Sequence, residues 1–559
     1  MCTLCQKFQP WTDDCFYAGL GGASDAGSGG SSGSGESSGL PTYTYDQIAD
    51  FLTTGYWGGG NSRSFDASPG DTLYVDITDL ATNGQDMARA ALDAWAMVTG
   101  FTFVEVDTDT PPTNTTSEGA DAAADTSTAY SMNVGEDFLG NLSTGSDQDA
   151  IAITLTAGQS VYISHSGEGS GETTDPYLWI LDSSGNVVAQ NDDANGRDSA
   201  LTYQAAYTGV HYIRAGSYAS AYPGDYRITV RETSQTADIV FDDSDSGAYA
   251  SSSVFGNTIQ SSFVNVNANW AGGSNRIDGY FYQTYVHEIG HALGLGHAGP
   301  YNGSATYGSD NIYDNDSWQA SIMSYFHQTE NTEVDASFAY VTGPQVADIL
   351  AIHDLYGAPT TAMAGNTTYG DNANTGTYLD TVHALSNPVS YTVYDTDGTD
   401  TFDFSSYSAH QVLDLREEQF SDLAGYDGNI GIARGAVIEN GLTGQGDDTI
   451  TGNDAANGLS AGMGTDIVDG GAGNDAIRGG SGNDDLNGED GFDLVEGGTG
   501  NNLIEGGAGG DLLIGDGLTL DILAILYPTY TPPAQAQTWL DNGDYVTLWD
   551  DILDDQGIA

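Results

Sequence analysis

The sequence predicts an α+β domain, interrupted by an inserted β-sandwich and followed by an all-β parallel β-roll. Three observations carry that prediction. Helical and strand-like apolar patterns alternate on both sides of residues 128–232; within 128–232 only short strand-like runs occur; and from Thr443 the chain repeats every nine residues. At 559 residues the chain is too long for one core, and no run of about 18 apolar residues predicts a membrane span.

The elements follow in order. Residues 21–39, GGASDAGSGGSSGSGESSG, form a Gly/Ser linker behind a short N-terminal piece. That piece holds all three cysteines, Cys2, Cys5 and Cys15, so no disulfide framework supports the body. YDQIADFLTTGYWGG reads as a short helix and DTLYVDI as a strand with Leu73, Val75 and Ile77 on one face. GQDMARAALDAWAMVTG reads as an amphipathic helix, with Met87, Ala91, Trp95 and Val98 on one side and Gly100 as its stop. The strand FTFVEV follows. Residues 108–127, acidic and rich in Thr and Pro, are predicted to be a linker. Short alternating runs separated by turn dipeptides then fill 128–232, the spacing of a small β-sandwich. TADIVFDD resumes the first domain, so the sandwich is predicted to be an insertion in a surface connection.

The charge balance narrows the partners. With 11 Lys+Arg against 79 Asp+Glu, the formal net charge is −68, which repels phosphate backbones and anionic membranes. Nucleic acid is excluded as a partner. The acids suit a solvated surface or a store of carboxylates for hard cations such as calcium.

HEIGHALGLGHAG, residues 287–299, is the densest chemistry in the chain. His287 and His291 are four apart, so on a helix both imidazoles project from one face toward one metal, while Tyr282, Val286, Ile289 and Leu293 form the core-facing stripe. Glu288 stands beside the first ligand, where an ionised carboxylate takes a proton from water and passes it to a leaving amine. Gly294 ends the helix in a left-handed conformation, so that His297 supplies a third nitrogen. Three neutral imidazoles predict an open, catalytic zinc site.

The pattern HExxHxxGxxH, with SIMSYF downstream, resembles the metzincin proteases. Met323 then corresponds to the methionine of the turn beneath the metal. More specifically, QIADFLTTGYW, ARAALDAWAMVTGFTFVEV, HEIGHALGLGHAGPYNG, SIMSYF and PQVADILAIHDLYGA resemble the serralysins, zinc endopeptidases secreted by bacteria. The resemblance implies a metzincin catalytic domain with His287, His291 and His297 as zinc ligands and Glu288 as general base. It also implies Tyr325 as a switchable fifth zinc ligand whose phenol leaves the metal to stabilise the oxyanion. Residues 128–232 in turn resemble the bacterial pre-peptidase C-terminal domain. The resemblance rests on an Asp-Pro before YLWILD, a DSSGN turn, NDD, YTGVHYIRA and a terminal GDYRITV. A carbohydrate or protein ligand and a calcium at Asp192 or Asp193 go with that reading.

Read in nines from Thr443, the C-terminal third gives TGQGDDTIT, GNDAANGLS, AGMGTDIVD, GGAGNDAIR, GGSGNDDLN, GEDGFDLVE, GGTGNNLIE and GGAGGDLLI. Paired glycines permit tight turns, the sixth residue meets calcium with backbone carbonyls, and the eighth fills a thin core. The calcium candidates are Asp448, Asp466, Asp475, Asp484, Asp493 and Asp511; Asn457 and Asn502 break the pattern and predict weaker loops. Ile450, Leu459, Val468, Ile477, Leu486, Val495, Ile504 and Leu513 are predicted to form the core column. So little apolar area and so many close carboxylates predict a roll that folds only with calcium.

Families with this repeat leave the cell by a type I exporter that reads an uncleaved C-terminal signal. The resemblance therefore implies a secreted, extracellular, monomeric protein acting on protein or peptide substrates, with type I secretion machinery as its export partner. The N-terminus MCTLCQKFQPWTDD, which lacks the features of a signal peptide, agrees with that route. A thiolate of the N-terminal piece capping the zinc is one reading of the cysteines, and inert, removable residues are the other. The expected division is a prosegment and linker at 1–40, catalytic parts at 41–107 and 233–358, and the inserted sandwich at 128–232. A β-rich start at 359–442, the roll at 443–517 and a tail at 518–559, read as the export signal, complete it. The rival reading is a calcium-dependent adhesive protein with a vestigial protease domain; the intact Glu288 argues against it.

Overall fold

A computed structural model describes residues 39–106, 114–192, 198–232 and 237–517, and within the tail residues 523, 527, 530–542 and 545–556. Cys2, Cys5, Cys15 and Asp193 lie outside the described residues. The chain divides into two compact units, Met1–Val104 with Asp238–Ala559, and Glu105–Ala237.

The first unit opens with helix α1, Tyr45–Asp50, held by a capping box between Thr44 and Gln47. The single short helix predicted here widens into a π turn over Phe51–Gly55. Helix α2, Thr82–Thr99, ends ahead of Gly100 and buries Met87, Ala91, Trp95 and Val98. A five-stranded sheet runs in the order Ala248–Phe255, Thr258–Val266, Ile239–Asp242, Thr72–Asp79, Thr102–Glu105. Thr72–Asp79 pairs in parallel with Ile239–Asp242, with Val75 opposite Ile239. A parallel pair requires a long crossover whatever its content. The second unit is therefore inserted where the chain already has to travel.

Helix α3, Tyr280–Ala292, carries the first two histidines, and α4, Val346–Tyr356, packs on α1. The sequence reading gave α3 one apolar stripe, but Phe281 through Ala292 are buried all round. Helix α2 and the strands Ala248–Phe255 and Thr258–Val266 pack against α3, and its polar groups are buried with the rest of the helix.

The C-terminal half of this unit is a roll of two sheets. One continues through Val412–Asp414, Thr449–Thr451, Ile467–Asp469, Asp485–Asn487 and Leu503–Glu505. The other continues through Thr401–Asp403, Asn440–Leu442, Gly458–Ser460, Ala476–Arg478, Leu494–Glu496 and Leu512–Ile514. Two nonapeptides make one coil, so the register advances by 18 residues and the eight apolar residues form two facing columns, not one. Ile450, Val468, Leu486 and Ile504 lie on one sheet, and Leu459, Ile477, Val495 and Leu513 on the other. Leu513 departs from the predicted core: it is 46% exposed, because its strand ends the sheet. The roll also begins before 443. Phe402 and Leu413 continue the two columns upstream, joined by connections too irregular to repeat in nines. Adjacent coils come so close that a Cβ on Gly482 would lie 1.4 Å from the Gly464 carbonyl oxygen. Leu486→Ala, at a fully buried rung, is expected to cost about 2–5 kcal/mol in denaturant unfolding. A loss below 0.5 kcal/mol would contradict the packing described.

Tail helices α5, Ala536–Asn542, and α6, Tyr545–Gln556, follow. Leu548, Trp549, Ile552 and Leu553 are buried in one cluster with Leu494 and Ile514, and Trp549 Nε1 donates to the Phe492 carbonyl at 2.6 Å.

The second unit is a β-sandwich of two five-stranded sheets whose facing residues include Phe138, Ile151, Ile163, Leu178, Ile213, Tyr226 and Ile228. The linker predicted over 108–127 needs correction, because Asn114–Ser117 adds an edge strand parallel to Glu136–Leu142. Thr115 and Thr116 suit a strand, and this largely exposed edge carries no apolar alternation for the sequence to display.

Candidate metal centre

Helix α3 presents His287 and His291 one turn apart, and the chain must double back to add His297. It turns at Gly294, where φ is +106° and a Cβ would stand 2.1 Å from the Arg63 carbonyl oxygen. Only glycine fits there. The turn is backed by the first helical segment: Gly296 N–H donates to Leu52 O at 2.7 Å and Trp57 Nε1 to Gly294 O at 2.9 Å.

The three imidazoles converge. Nε2 of His291 lies 3.1 Å from that of His287 and 3.2 Å from that of His297. Each Nδ1 faces a main-chain carbonyl: Ile322 at 2.9 Å from His287, Leu295 at 2.8 Å from His291, and Tyr301 at 2.8 Å from His297. A carbonyl only accepts, so every Nδ1 carries the proton and every Nε2 turns a lone pair to the common point. Three lone pairs facing one another repel unless a cation lies between them. Bonds of about 2.0–2.1 Å to a tetrahedral ion separate ligand nitrogens by about 3.3 Å, so the donor set fits zinc. Glu288, next to His287 on the same helix, is fully buried.

Met323 lies beneath this group, fully buried, and the reason it fits is Gly290: a Cβ there would stand 2.7 Å from its sulfur and 3.0 Å from the Trp95 ring. Its loop is pinned from α4. Asp348 accepts Ser321 Oγ at 2.6 Å and the Ile322 N–H at 2.7 Å, while Ile322 O holds His287. Burial pushes the Asp348 carboxyl up to about 7 against those hydrogen bonds. Tyr325 lies edge-on to His297 with ring centroids 4.4 Å apart, and its phenol oxygen accepts the Gly303 N–H at 3.2 Å. Tyr56 also packs edge-on to His297, with ring centroids 5.2 Å apart. Sequence reasoning missed Tyr56, Tyr301 and Asp348, which reach the site from separate elements and share no spacing.

The sixth-position residues of the nonapeptides form two ladders inside the roll. Asp466 Oδ1 accepts the Asp448 N–H at 2.8 Å, Asp484 that of Asp466 at 3.2 Å, and Asn502 that of Asp484 at 3.0 Å. On the opposite edge Asp475, Asp493 and Asp511 accept from Asn457, Asp475 and Asp493 at 2.8, 2.9 and 3.2 Å. The second oxygens of Asp466, Asp475, Asp484 and Asp493 are buried with no protein hydrogen-bond donor. Burial raises Asp493 to about 6, Asp466 to about 7 and Asp475 to about 8. Anionic oxygens in that setting fit a hard cation. Asn457 and Asn502 keep the ladder but bring no charge.

In the sandwich, Asp192 lies at a strand end, while the carboxylates of Glu118, Asp121 and Asp149 come within 4.8 Å of one another. Asp149 is fully buried, accepts the Tyr226 phenol at 2.9 Å and is pushed up to about 7 by burial. Glu118 precedes the strands that the sequence reading assigned to the sandwich, which is why this group was missed.

Residues 358–527 match the family described as Peptidase M10 serralysin C terminal. The chain is 44% identical over 187 residues to a serralysin of Photorhabdus luminescens, covering 33% of this chain and 38% of that one. It is 47% identical over 174 residues to serralysin C of Dickeya chrysanthemi, covering 31% and 36%. It is 43% identical over 187 residues to metallopeptidase AprA of Pseudomonas marginalis, covering 32% and 39%. The match thus spans under two fifths of each relative's length. Among solved structures, the pre-peptidase C-terminal domain of a Bacillus anthracis collagenase is similar at 19% identity and a TM-score of 0.16, over 18% of this chain and 93% of that one. No described helix is long and apolar enough to cross a membrane.

Proposed function

We propose, on the likeness of about a third of the chain to serralysins, that it is a secreted zinc endopeptidase cleaving internal peptide bonds of extracellular proteins. The observation that carries the reading is the convergence of three Nε2 lone pairs, each oriented by a carbonyl on its own Nδ1. His287, His291 and His297 hold the ion. When bound, zinc polarises the scissile carbonyl and acidifies the attacking water. Glu288 takes the proton from that water and returns it to the leaving amine. Tyr325 swings its phenol toward the substrate oxygen and donates to it as negative charge develops.

Asp448, Asp466, Asp475, Asp484, Asp493 and Asp511 bind calcium in the same reading, and the roll folds around it outside the cell, where calcium is plentiful. The tail serves as the type I export signal. The adhesive alternative gains nothing from a buried Glu288 beside three oriented histidines.

Metal analysis of the full chain tests the site. One zinc per chain is expected, and His291→Ala is expected to weaken binding by at least about 100-fold, the upper end of what loss of a supporting partner alone costs. Stoichiometric zinc retained by the variant at the parent's affinity would reject the site.

A further inference from the structure

One buried carboxylate beside the histidines takes part in none of these steps. Asp316 is fully buried; its Oδ1 accepts Ser324 Oγ at 2.6 Å, and the Tyr301 phenol reaches its two oxygens at 3.2 and 3.1 Å. Both partners touch the backbone around Tyr325. Ser324 Oγ accepts the Phe326 N–H at 3.1 Å, and the Tyr301 phenol oxygen accepts the Tyr325 N–H at 3.4 Å. The amides on both sides of the Tyr325 Cα are therefore fixed by oxygens tied to one carboxylate. The Tyr301 ring also lies against that of Tyr325, with centroids 4.8 Å apart. Tyr325 itself is only partly buried, so a rigid backbone carries a side chain with room to move.

We infer that Asp316 is a positioning residue for Tyr325, holding the pivot about which its phenol moves between the metal and the substrate oxygen. The inference rests on the reading of Tyr325 as a ligand and oxyanion donor. The three histidines keep their own carbonyl partners, so the effect falls on the tyrosine and not on the ion. A pivot displaced by about 1 Å costs on the order of 10²-fold in rate, and partial loss of the support is expected to cost about tenfold.

Asp316→Asn and Ser324→Ala test it, the second removing one hydroxyl and leaving Tyr301 in place. Each is expected to lower kcat about tenfold with KM and zinc affinity within about twofold, and to change kcat less than twofold when Tyr325 is already Phe. A readout independent of turnover comes from replacing zinc with Cu2+, whose charge-transfer band with a phenolate reports the approach of Tyr325. The parent is expected to show the band, Tyr325→Phe to lack it, and the folded variants to lose at least half of it. Variants that keep the parent's band, or lose as much kcat in the Tyr325→Phe background as in the parent, would overturn the positioning role. No band in the parent would instead overturn the reading of Tyr325 as a ligand.

Discussion

Glu288→Ala is expected to bind zinc as the parent does and to lose about 10²–10⁴-fold in kcat/KM on an unstructured protein such as casein. The size follows from the task. Glu288 is the ionisable group next to His287 on α3 and is fully buried, so its loss removes the carboxylate that stands beside the proposed metal ligand. The three histidines do not depend on it, because each is oriented through its own Nδ1. Zinc content is therefore the control that separates lost chemistry from lost structure. Glu288→Gln, of nearly the same shape, is expected to behave like Ala. Cleavage within threefold of the parent by either variant would remove Glu288 from the mechanism.

Calcium removal is expected to unfold the roll, and to do so more readily at alkaline pH. Each calcium at about 1,000 times its Kd adds about 4 kcal/mol, so several sites together exceed the 5–15 kcal/mol that holds an ordinary domain. The pH dependence follows from the raised carboxyls. Asp493, Asp466 and Asp475 titrate near 6, 7 and 8 in the folded roll, against about 3.9 in an unfolded chain. The metal-free folded roll thus holds these protons more tightly than the unfolded chain does. That support is complete below about pH 4 and is lost as pH rises through 6 to 8. Calcium held by these carboxylates would replace the protons, so its binding is expected to release them and to tighten as pH rises over the same window. With a calcium-selective chelator, circular dichroism is expected to show less β structure at pH 8.5 than at 5.5; with calcium the difference disappears. A signal and thermal midpoint indifferent to the chelator at pH 8.5 would reject calcium as the roll's support.

The histidine group of the candidate metal centre was legible where its residues stand at set offsets along one helix and the turn after it. His287, His291, His297 and Gly294 are of that kind; Met323 was read from the resemblance of SIMSYF to the metzincin turn, and only the structure shows that Gly290 leaves it room. Nothing comparable announces Asp348, which reaches the same loop from α4, or Tyr56 and Asp316, whose neighbours are made by folding alone. The roll divides in the same way. A ninth-residue apolar period exposed the core, but one nonapeptide is half a coil, so the split into two facing columns appears only once the 18-residue register is seen. Upstream, Phe402 and Leu413 continue those columns across connections of unequal length, which hide the period. The edge strand Asn114–Ser117 was invisible because polar residues at a sheet margin carry no alternation.

The most direct test of zinc-dependent endopeptidase action is mass-spectrometric mapping of products from an unfolded protein incubated with the full chain. The chain is stripped of zinc and then restored with one equivalent, calcium being present throughout. Internal cuts are expected only after zinc is returned, and none with Glu288→Ala. Internal cuts by the stripped chain, or none after zinc is restored, would contradict the account.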